Sequence, residues 1–128
     1  MNITRLHHLA VICSDYQKSR HFYCEVLSLP ILSEVYRAER DSYKLDLAVP
    51  GGLQIELFSF PAAPARISYP EACGLRHLAF AVADLDHEVT GLTAKAVAVE
   101  TIRVDELTGK RYAFFADPDG LPIELYEE

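Results

Sequence analysis

Cysteine is scarce in this sequence and shows no regular spacing. Its 128 residues include three cysteines, Cys13, Cys24 and Cys73, an odd number without a close pair. Disulfide-stabilised folds need paired cysteines, and zinc sites built on cysteine need closely spaced pairs. We therefore expect three reduced thiols, most simply buried as small apolar side chains.

Positive charge and long apolar runs are also scarce. Lysine and arginine number 12 against 19 acidic residues, which gives a net charge of -7 and a pI of about 5.2. Nucleic acids and anionic membranes attract basic surfaces, so neither is expected as a partner. No apolar run approaches the about 18 residues of a membrane-spanning helix, and Arg5, His7 and His8 interrupt any signal-like start. The composition predicts a soluble, cytoplasmic protein.

The sequence contains an internal repeat. Residues 6–12, LHHLAVI, recur as LRHLAFA at residues 75–81, and residues 54–58, QIELF, recur as PIELY at residues 122–126. Half of the residues are hydrophobic, enough for a packed core at this length. The repeat therefore predicts one domain, residues 1–128, made of a first module (1–60), a proline-rich linker (61–74) and a second module (75–128).

Each module has the pattern of a strand, a helix and three strands. Helical and strand-like periods alternate too quickly for a helical bundle, and the chain is too short for a doubly wound sheet. The fold class is thus predicted as α+β, with two tandem βαβββ modules whose curved sheets form a cup. The predicted strands are 5–13, 31–36, 43–49, 53–60, 75–82, 99–104, 111–116 and 121–126, and the predicted helices are 16–27 and 85–96.

One histidine and one glutamate recur at matched places in the repeat. His8 and Glu56 are 48 positions apart, and His77 and Glu124 are 47 apart. Each lies in an apolar strand-like run, where a polar side chain is costly without a partner. A lone strand histidine is more often a hydrogen-bonded core residue, and a lone glutamate is usually solvated. Four such residues in register instead favour a shared metal site.

The chemistry of these four residues limits the metal. Two imidazoles and two carboxylates suit one divalent transition metal ion, Zn, Ni, Co, Mn or Fe(II), better than Mg or Ca. On an octahedral ion they leave two positions for water or substrate, which permits Lewis-acid chemistry. His7 has Arg76 as its counterpart and faces away from His8, so we expect it on the surface or behind the ligands. His21 and His87 fall in the helices and are expected to face solvent.

The repeated pattern H-L-A…D…F-Y…I-E-L, ending in D-P-D-G-x-P-I-E-L, resembles the vicinal oxygen chelate superfamily over essentially the whole chain. The segments SEVYR (33–37), IELFSFP (55–61) and PEACGLRHLAF (70–80) resemble the short glyoxalase-like proteins of the bacterial YaeR group. This resemblance implies the paired βαβββ fold and metal ligands at His8, Glu56, His77 and Glu124. It also implies a lyase like lactoylglutathione lyase, acting through an enediolate with Glu56 or Glu124 as the base. A homodimer would then place His8 and Glu56 of one subunit beside His77 and Glu124 of the other.

The sequence departs from glyoxalase I where that enzyme grips glutathione. The family's arginine on the first strand is Ile12 here, and its asparagine after the first glutamate is Phe60. Losing two polar contacts costs roughly 1–3 kcal/mol each, so glutathione is not the expected substrate. We expect instead a small oxygen-chelating anion, such as an α-hydroxy acid, an α-keto acid or its thioester.

Other side chains are candidates for the walls of a substrate site. The aromatic candidates are Phe58, Phe60, Tyr112 and Phe114, and the basic candidates for an anion are Arg37, Arg40, Lys44, Arg103, Lys110 and Arg111. The alternatives within the superfamily are an epimerase, a dioxygenase, a thiol transferase of the antibiotic-resistance type, and a small-molecule binding protein without catalysis. Dioxygenases favour two histidines and one carboxylate, and the fourth ligand argues against that alternative.

Overall fold

The chain folds into two compact units, each with one four-stranded sheet. The structure, a computed structural model, describes residues 1–128, with units Met1–Ala65 and Arg66–Glu128. The α+β class and the two βαβββ modules are confirmed by the element order and the sheets. None of the helices is long and apolar enough to span a membrane.

The first unit is built around strands β1 to β4. Helix α1 begins where Asp15 accepts a hydrogen bond from the backbone N–H of Lys18, 3.1 Å away, and a π-helical turn continues it at Phe22–Val26. The strand order is β1-β4-β3-β2, with β1 and β4 parallel and the other neighbours antiparallel. The elements are β1 (His8–Cys13), α1 (Tyr16–His21), β2 (Ile31–Arg37), β3 (Ser42–Val49) and β4 (Leu53–Ser59).

The second unit repeats this topology with the order β5-β8-β7-β6. Its elements are β5 (Leu78–Val82), α2 (Leu85–Ala94), β6 (Arg103–Val104), β7 (Arg111–Ala116) and β8 (Pro122–Glu127). The prediction of a strand over 99–104 is wrong in length, because only Arg103 and Val104 pair with β7. Upstream, Glu100 donates a single backbone hydrogen bond to Phe114, which is not enough for a ladder. The predicted helix over 16–27 is likewise α-helical only to His21.

Side chains alternate between the two faces of each sheet. One face packs into the core, and the other carries the predicted metal-binding glutamates. Ile55 and Leu57 of β4 are fully buried, and Glu56 lies between them on the opposite face. Ile123 and Leu125 flank Glu124 in the same way. Burying each such aliphatic side chain stabilises the fold by about 1.5–3 kcal/mol. The cores therefore fix which face of each sheet presents the glutamate.

An ion-pair network joins the last strand of the second unit to its helix. Both oxygens of Glu127 accept hydrogen bonds from Arg111, at 2.8 and 2.7 Å, and one also accepts from the backbone N–H of Leu85. Arg111 additionally donates to Asp86. These donors, Arg111 above all, lower the pKa of Glu127 to about 2.

Replacing Glu127 with glutamine is expected to destabilise the protein in a pH-dependent way. A depressed carboxyl pKa adds stability above the unfolded value, here 4.5, and this stability is lost as the pH falls toward about 2. The urea midpoint of Glu127→Gln should lie below wild type at pH 6, and the gap should narrow steadily at pH 4 and pH 3. Exposed Glu128, changed to glutamine, serves as the charge-matched control. A gap of equal size at all three pH values would contradict the expectation.

Candidate metal centre

The first histidine–glutamate pair lies on neighbouring parallel strands. Glu56 is opposite Ala10 in the β1–β4 register, so His8 projects from the same face two residues earlier. The Nε2 atom of His8 is 3.8 Å from Oε2 of Glu56. The His8 side chain is 44% exposed and that of Glu56 is 17% exposed, so the pair opens on the imidazole side.

The second pair has the same arrangement, with the histidine two residues before the residue that lies opposite the glutamate. Glu124 is opposite Ala79 in the β5–β8 register, and His77 lies two residues before Ala79. The Nε2 atom of His77 is 3.3 Å from Oε2 of Glu124. The His77 ring also meets Phe114 edge to face, with centroids 5.2 Å apart. Both units therefore place an imidazole Nε2 near a carboxylate, from the first residue of β1 in one unit and from the residue before β5 in the other.

These distances fit ligands of one metal ion. Two donor atoms, each about 2.1 Å from an ion, lie about 3.0–3.4 Å apart at angles between a right angle and the tetrahedral angle. The pair of His77 and Glu124 already has this spacing, and that of His8 and Glu56 needs a shift of a few tenths of an ångström. The structure brings the four predicted ligands together as two pairs, and it holds no cluster of three or more such residues. Each pair on its own supplies two ligands.

Polar neighbours surround the first pair. His7 contacts the far side of the ligand, with 2.9 Å between the two Nδ1 atoms. If His8 binds through Nε2, its proton is on Nδ1 and is donated to His7, which fixes the tautomer. His7 thus contacts the Nδ1 side of the His8 ring, away from the Nε2 atom that faces Glu56.

A lysine and an aspartate on β3 also adjoin the first pair. Lys44 Nζ lies 3.3 Å from Glu56 Oε1 and 2.6 Å from Asp46 Oδ1. Hydrogen bonds with Asp46 and then Glu56 raise the pKa of Lys44. Burial acts to raise the pKa of Asp46, but hydrogen bonds from Lys44 and Ser33 together hold it below its ordinary value. Glu56 is therefore tied to a fixed positive charge.

The second pair has aromatic neighbours instead. Phe114 is opposite Glu124 as Asp46 is opposite Glu56, and Tyr112 occupies the register position of Lys44. Nδ1 of His77 is buried without a hydrogen-bond partner. Glu124 opens into a cavity of about 750 Å³ in the second unit, whose other lining residues are Arg103, Val104, Asp105, Glu106, Leu107, Tyr112 and Phe114. The two histidine–glutamate pairs are thus alike in composition and unlike in the charge of their surroundings.

Three of the six basic side chains expected to grip an anion already have carboxylate partners. Arg103 pairs with Glu100 at 2.9 Å, and Lys44 and Arg111 are paired as described. Arg40 and Lys110 are exposed. Asp46 was missed by the sequence reasoning, although its alternation with buried Leu45 and Leu47 places it on the ligand face.

Comparison with known proteins identifies relatives over the whole chain. A sequence profile described as Glyoxalase/Bleomycin resistance protein/Dioxygenase superfamily matches residues 5–125. The uncharacterized proteins YaeR of Escherichia coli (strain K12) and YwkD of Bacillus subtilis (strain 168) are each 56% identical over 128 residues. The match covers all of this chain and 99% and 100% of theirs. A 2-epi-5-epi-valiolone epimerase of Actinomyces sp is 28% identical, over 94% of this chain and 77% of the epimerase.

Solved structures of proteins with the same fold also resemble this chain over nearly its whole length. A glyoxalase family protein from Enterococcus faecalis superposes with a TM-score of 0.92 at 45% identity, over 99% of this chain and 100% of that one. TnmS3, an antibiotic binding protein from Streptomyces sp. CB03234, has a TM-score of 0.77 at 27% identity, over 99% and 98%. A lactoylglutathione lyase from Agrobacterium tumefaciens has a TM-score of 0.73 at 20% identity, over 99% and 96%, which is a likeness of fold alone.

Proposed function

Because the chain belongs to the glyoxalase/bleomycin resistance protein/dioxygenase superfamily, we propose that it is a divalent-metal-dependent, glyoxalase-like lyase or isomerase. Its reaction passes through an enediolate of a small oxygen-chelating substrate. The observation that carries the proposal is the pair of matched contacts, His8 to Glu56 and His77 to Glu124, at 3.8 and 3.3 Å. The three cysteines form no disulfide, which supports a cytoplasmic location, where thiols stay reduced.

The proposed metal site takes one pair from each of two chains in a homodimer. His8 and Glu56 of one subunit and His77 and Glu124 of the other would hold a Zn, Ni, Co or Mn ion. When bound, such an ion polarises two substrate oxygens and stabilises the negative charge that develops on them. His7 holds His8 in the tautomer that leaves Nε2 free to bind.

The two glutamates, both proposed as catalytic, have different tasks in this scheme. Lys44 stands 3.3 Å from Glu56 and holds its carboxylate in position, so we assign to Glu56 the role of a stationary ligand. Glu124 has an imidazole and aromatic neighbours but no lysine or arginine within ion-pair distance. We assign to the Glu124 carboxylate the removal of a proton from the substrate carbon and its return to the neighbouring carbon.

The substrate in this proposal is not a glutathione adduct. Ile12 presents an apolar side chain, 57% exposed, where the family's arginine would bind glutathione. Phe60, in place of the asparagine, stacks on Phe58 with centroids 6.0 Å apart. Both positions offer apolar contact and no hydrogen bond to a charged tripeptide.

Two relatives suggest second candidates. The 28% identical epimerase of Actinomyces sp favours an epimerase, in which the abstracted proton returns to the other face of the same carbon. The likeness to TnmS3 favours a binding protein that carries no reaction. Metal content separates the binding protein from the two enzymes, and the position and face of the returned proton separate lyase from epimerase.

Metal analysis followed by turnover tests the proposal. Protein purified without added metal, then loaded with Zn, Ni, Co or Mn and desalted, should retain close to one ion per site. It should then convert adducts of methylglyoxal with small thiols faster than the glutathione adduct. Less than about 0.1 ion per site after loading would overturn the metal-dependent reading. Retained metal without any turnover across the thiol adducts would overturn the lyase assignment.

A further inference from the structure

One half-buried cation of this acidic chain has no counter-charge. The half-buried basic side chains are Arg20, Arg37, Lys44 and Arg111. Arg20 pairs with Glu34 at 2.6 Å, Lys44 with Asp46 at 2.6 Å, and Arg111 with Glu127 at 2.7 Å. Arg37 has no carboxylate within 4.0 Å. A charge partly withdrawn from water is costly unless it is paired, so this exception needs a reason.

The contacts of Arg37 fix its guanidinium without neutralising it. Nη2 donates to Ser42 Oγ at 2.9 Å, and Nε is buried without a partner. The Cζ atom lies 4.9 Å from the centre of the Phe58 ring and 5.8 Å from that of Phe60. The planar guanidinium lies against these two parallel rings. Its remaining Nη–H groups can therefore donate hydrogen bonds to a further acceptor.

Arg37 lies one aromatic ring away from the first ligand pair. Phe58 follows Glu56 by two residues and shares its face of β4, about 7 Å further along the strand. Lys44 Nζ is 5.8 Å from the Phe58 ring centre and 3.3 Å from Glu56, on the same face. A small molecule that reaches from Glu56 across Phe58 would meet the open edge of Arg37.

We propose that Arg37 binds a carboxylate of the substrate that is remote from its metal-chelating oxygens. The substrate class is then a 2-oxo or 2-hydroxy dicarboxylic acid. One free guanidinium matches a single negative charge, and its fork fits the two oxygens of a carboxylate. This inference rests on the proposed function, because it names the substrate class of that site.

The second unit contains an arginine, Arg103, whose surroundings can be compared with those of Arg37. Arg103 also lies over two rings, 5.3 Å from Tyr112 and 5.6 Å from Phe114. Its Nη2 atom, however, is 2.9 Å from Glu100, so its charge is already balanced. The arginine-on-aromatics arrangement thus occurs twice, but only Arg37 lacks a carboxylate.

Matched ligands test the subsite in the zinc-loaded protein. 2-Oxoglutarate and 2-oxoadipate carry the remote carboxylate, whereas 2-oxopentanoate and 2-oxohexanoate have the same length without it. By calorimetry, at least one dicarboxylate should bind about 10–100-fold more tightly than its monocarboxylate match, the range expected for a charged hydrogen bond. Arg37→Gln should remove this preference and Arg37→Lys should keep part of it. Exposed Lys18 of helix α1, changed to glutamine, is the charge-matched control and should leave the preference intact.

A measurement without metal keeps the subsite separate from the proposed function. Glutarate added to the metal-free protein should shift the Arg37 side-chain N–H signal in the NMR spectrum, and Lys18→Gln should show the same shift. Equal binding of both ligand classes, or the same preference in Arg37→Gln, would overturn the subsite. If no 2-oxo acid binds the loaded protein while glutarate still shifts Arg37, the chelating function fails and the subsite stands.

Discussion

A one-to-one mixture of His8→Ala and His77→Ala chains is expected to regain the metal binding that each variant lacks alone. Each substitution removes one of the four proposed ligands, His8 from the first pair or His77 from the second. If each site takes one pair from each subunit, the mixed dimer has one site that carries both substitutions and one site with all four ligands intact. Random exchange then restores about a quarter of the wild-type sites.

The control for this experiment uses two lesions in the same pair. Chains with His8→Ala and chains with Glu56→Gln, mixed in the same way, always leave every site short of a ligand. Metal content after subunit exchange and desalting gives the readout, and native mass spectrometry verifies that mixed dimers have formed. Mixed dimers of His8→Ala and His77→Ala that hold no more metal than the control pair would rule out a site shared between subunits.

Glu124→Gln is expected to slow proton transfer strongly, while Glu56→Gln chiefly weakens the metal site. The difference follows from Lys44, whose ammonium adjoins Glu56 at 3.3 Å and has no counterpart beside Glu124, where Tyr112 and Phe114 stand. A positioned general base contributes about 10²–10⁴-fold to rate. Glu124→Gln should lose that factor in kcat, and Glu56→Gln should lose more in metal affinity than in kcat.

The measurement does not depend on knowing the natural substrate. Exchange of the α-protons of hydroxyacetone with D2O, followed by NMR on metal-saturated protein, reports the proton-transfer step alone. Metal affinity is measured separately by competition with a chelator. Glu128→Gln provides a charge-matched control at an exposed position. Equal loss of exchange in Glu56→Gln and Glu124→Gln at full metal occupancy would show that Lys44 does not distinguish the two carboxylates.

The sequence was sufficient to predict the topology and the placement of one histidine and one glutamate near each other in each unit. The repeat places a histidine at the start of the first strand and a glutamate in the last strand of each module, and strand alternation gives their shared faces. The order of the elements and the faces on which these side chains lie depend only on the local pattern of apolar and polar residues. The predicted length of edge strand β6 was too great because apolar residues near Val99 suggest a strand. Only Arg103 and Val104 pair with β7.

Contacts between neighbouring strands were harder to foresee. The contact of Lys44 with Glu56 depends on the β3–β4 register, which is set by the turn at Gly51 and Gly52, both with φ near +90°. The position of His7 depends on a backbone segment just before β1, where the strand period no longer applies. The unpaired state of Arg37 becomes visible only once the partners of the other half-buried cations are known.

The parallel pairing of the first and last strands of each unit has a consequence for folding kinetics. β1 pairs with β4, and β5 with β8, so His8 and Glu56 meet only after the whole intervening chain is ordered. Contacts between residues this far apart in sequence form late and slowly. A partly folded unit therefore has no assembled pair with which to capture an ion. A metal bound at the proposed site would therefore discriminate against unfinished chains, and its uptake would record completion of the sheet.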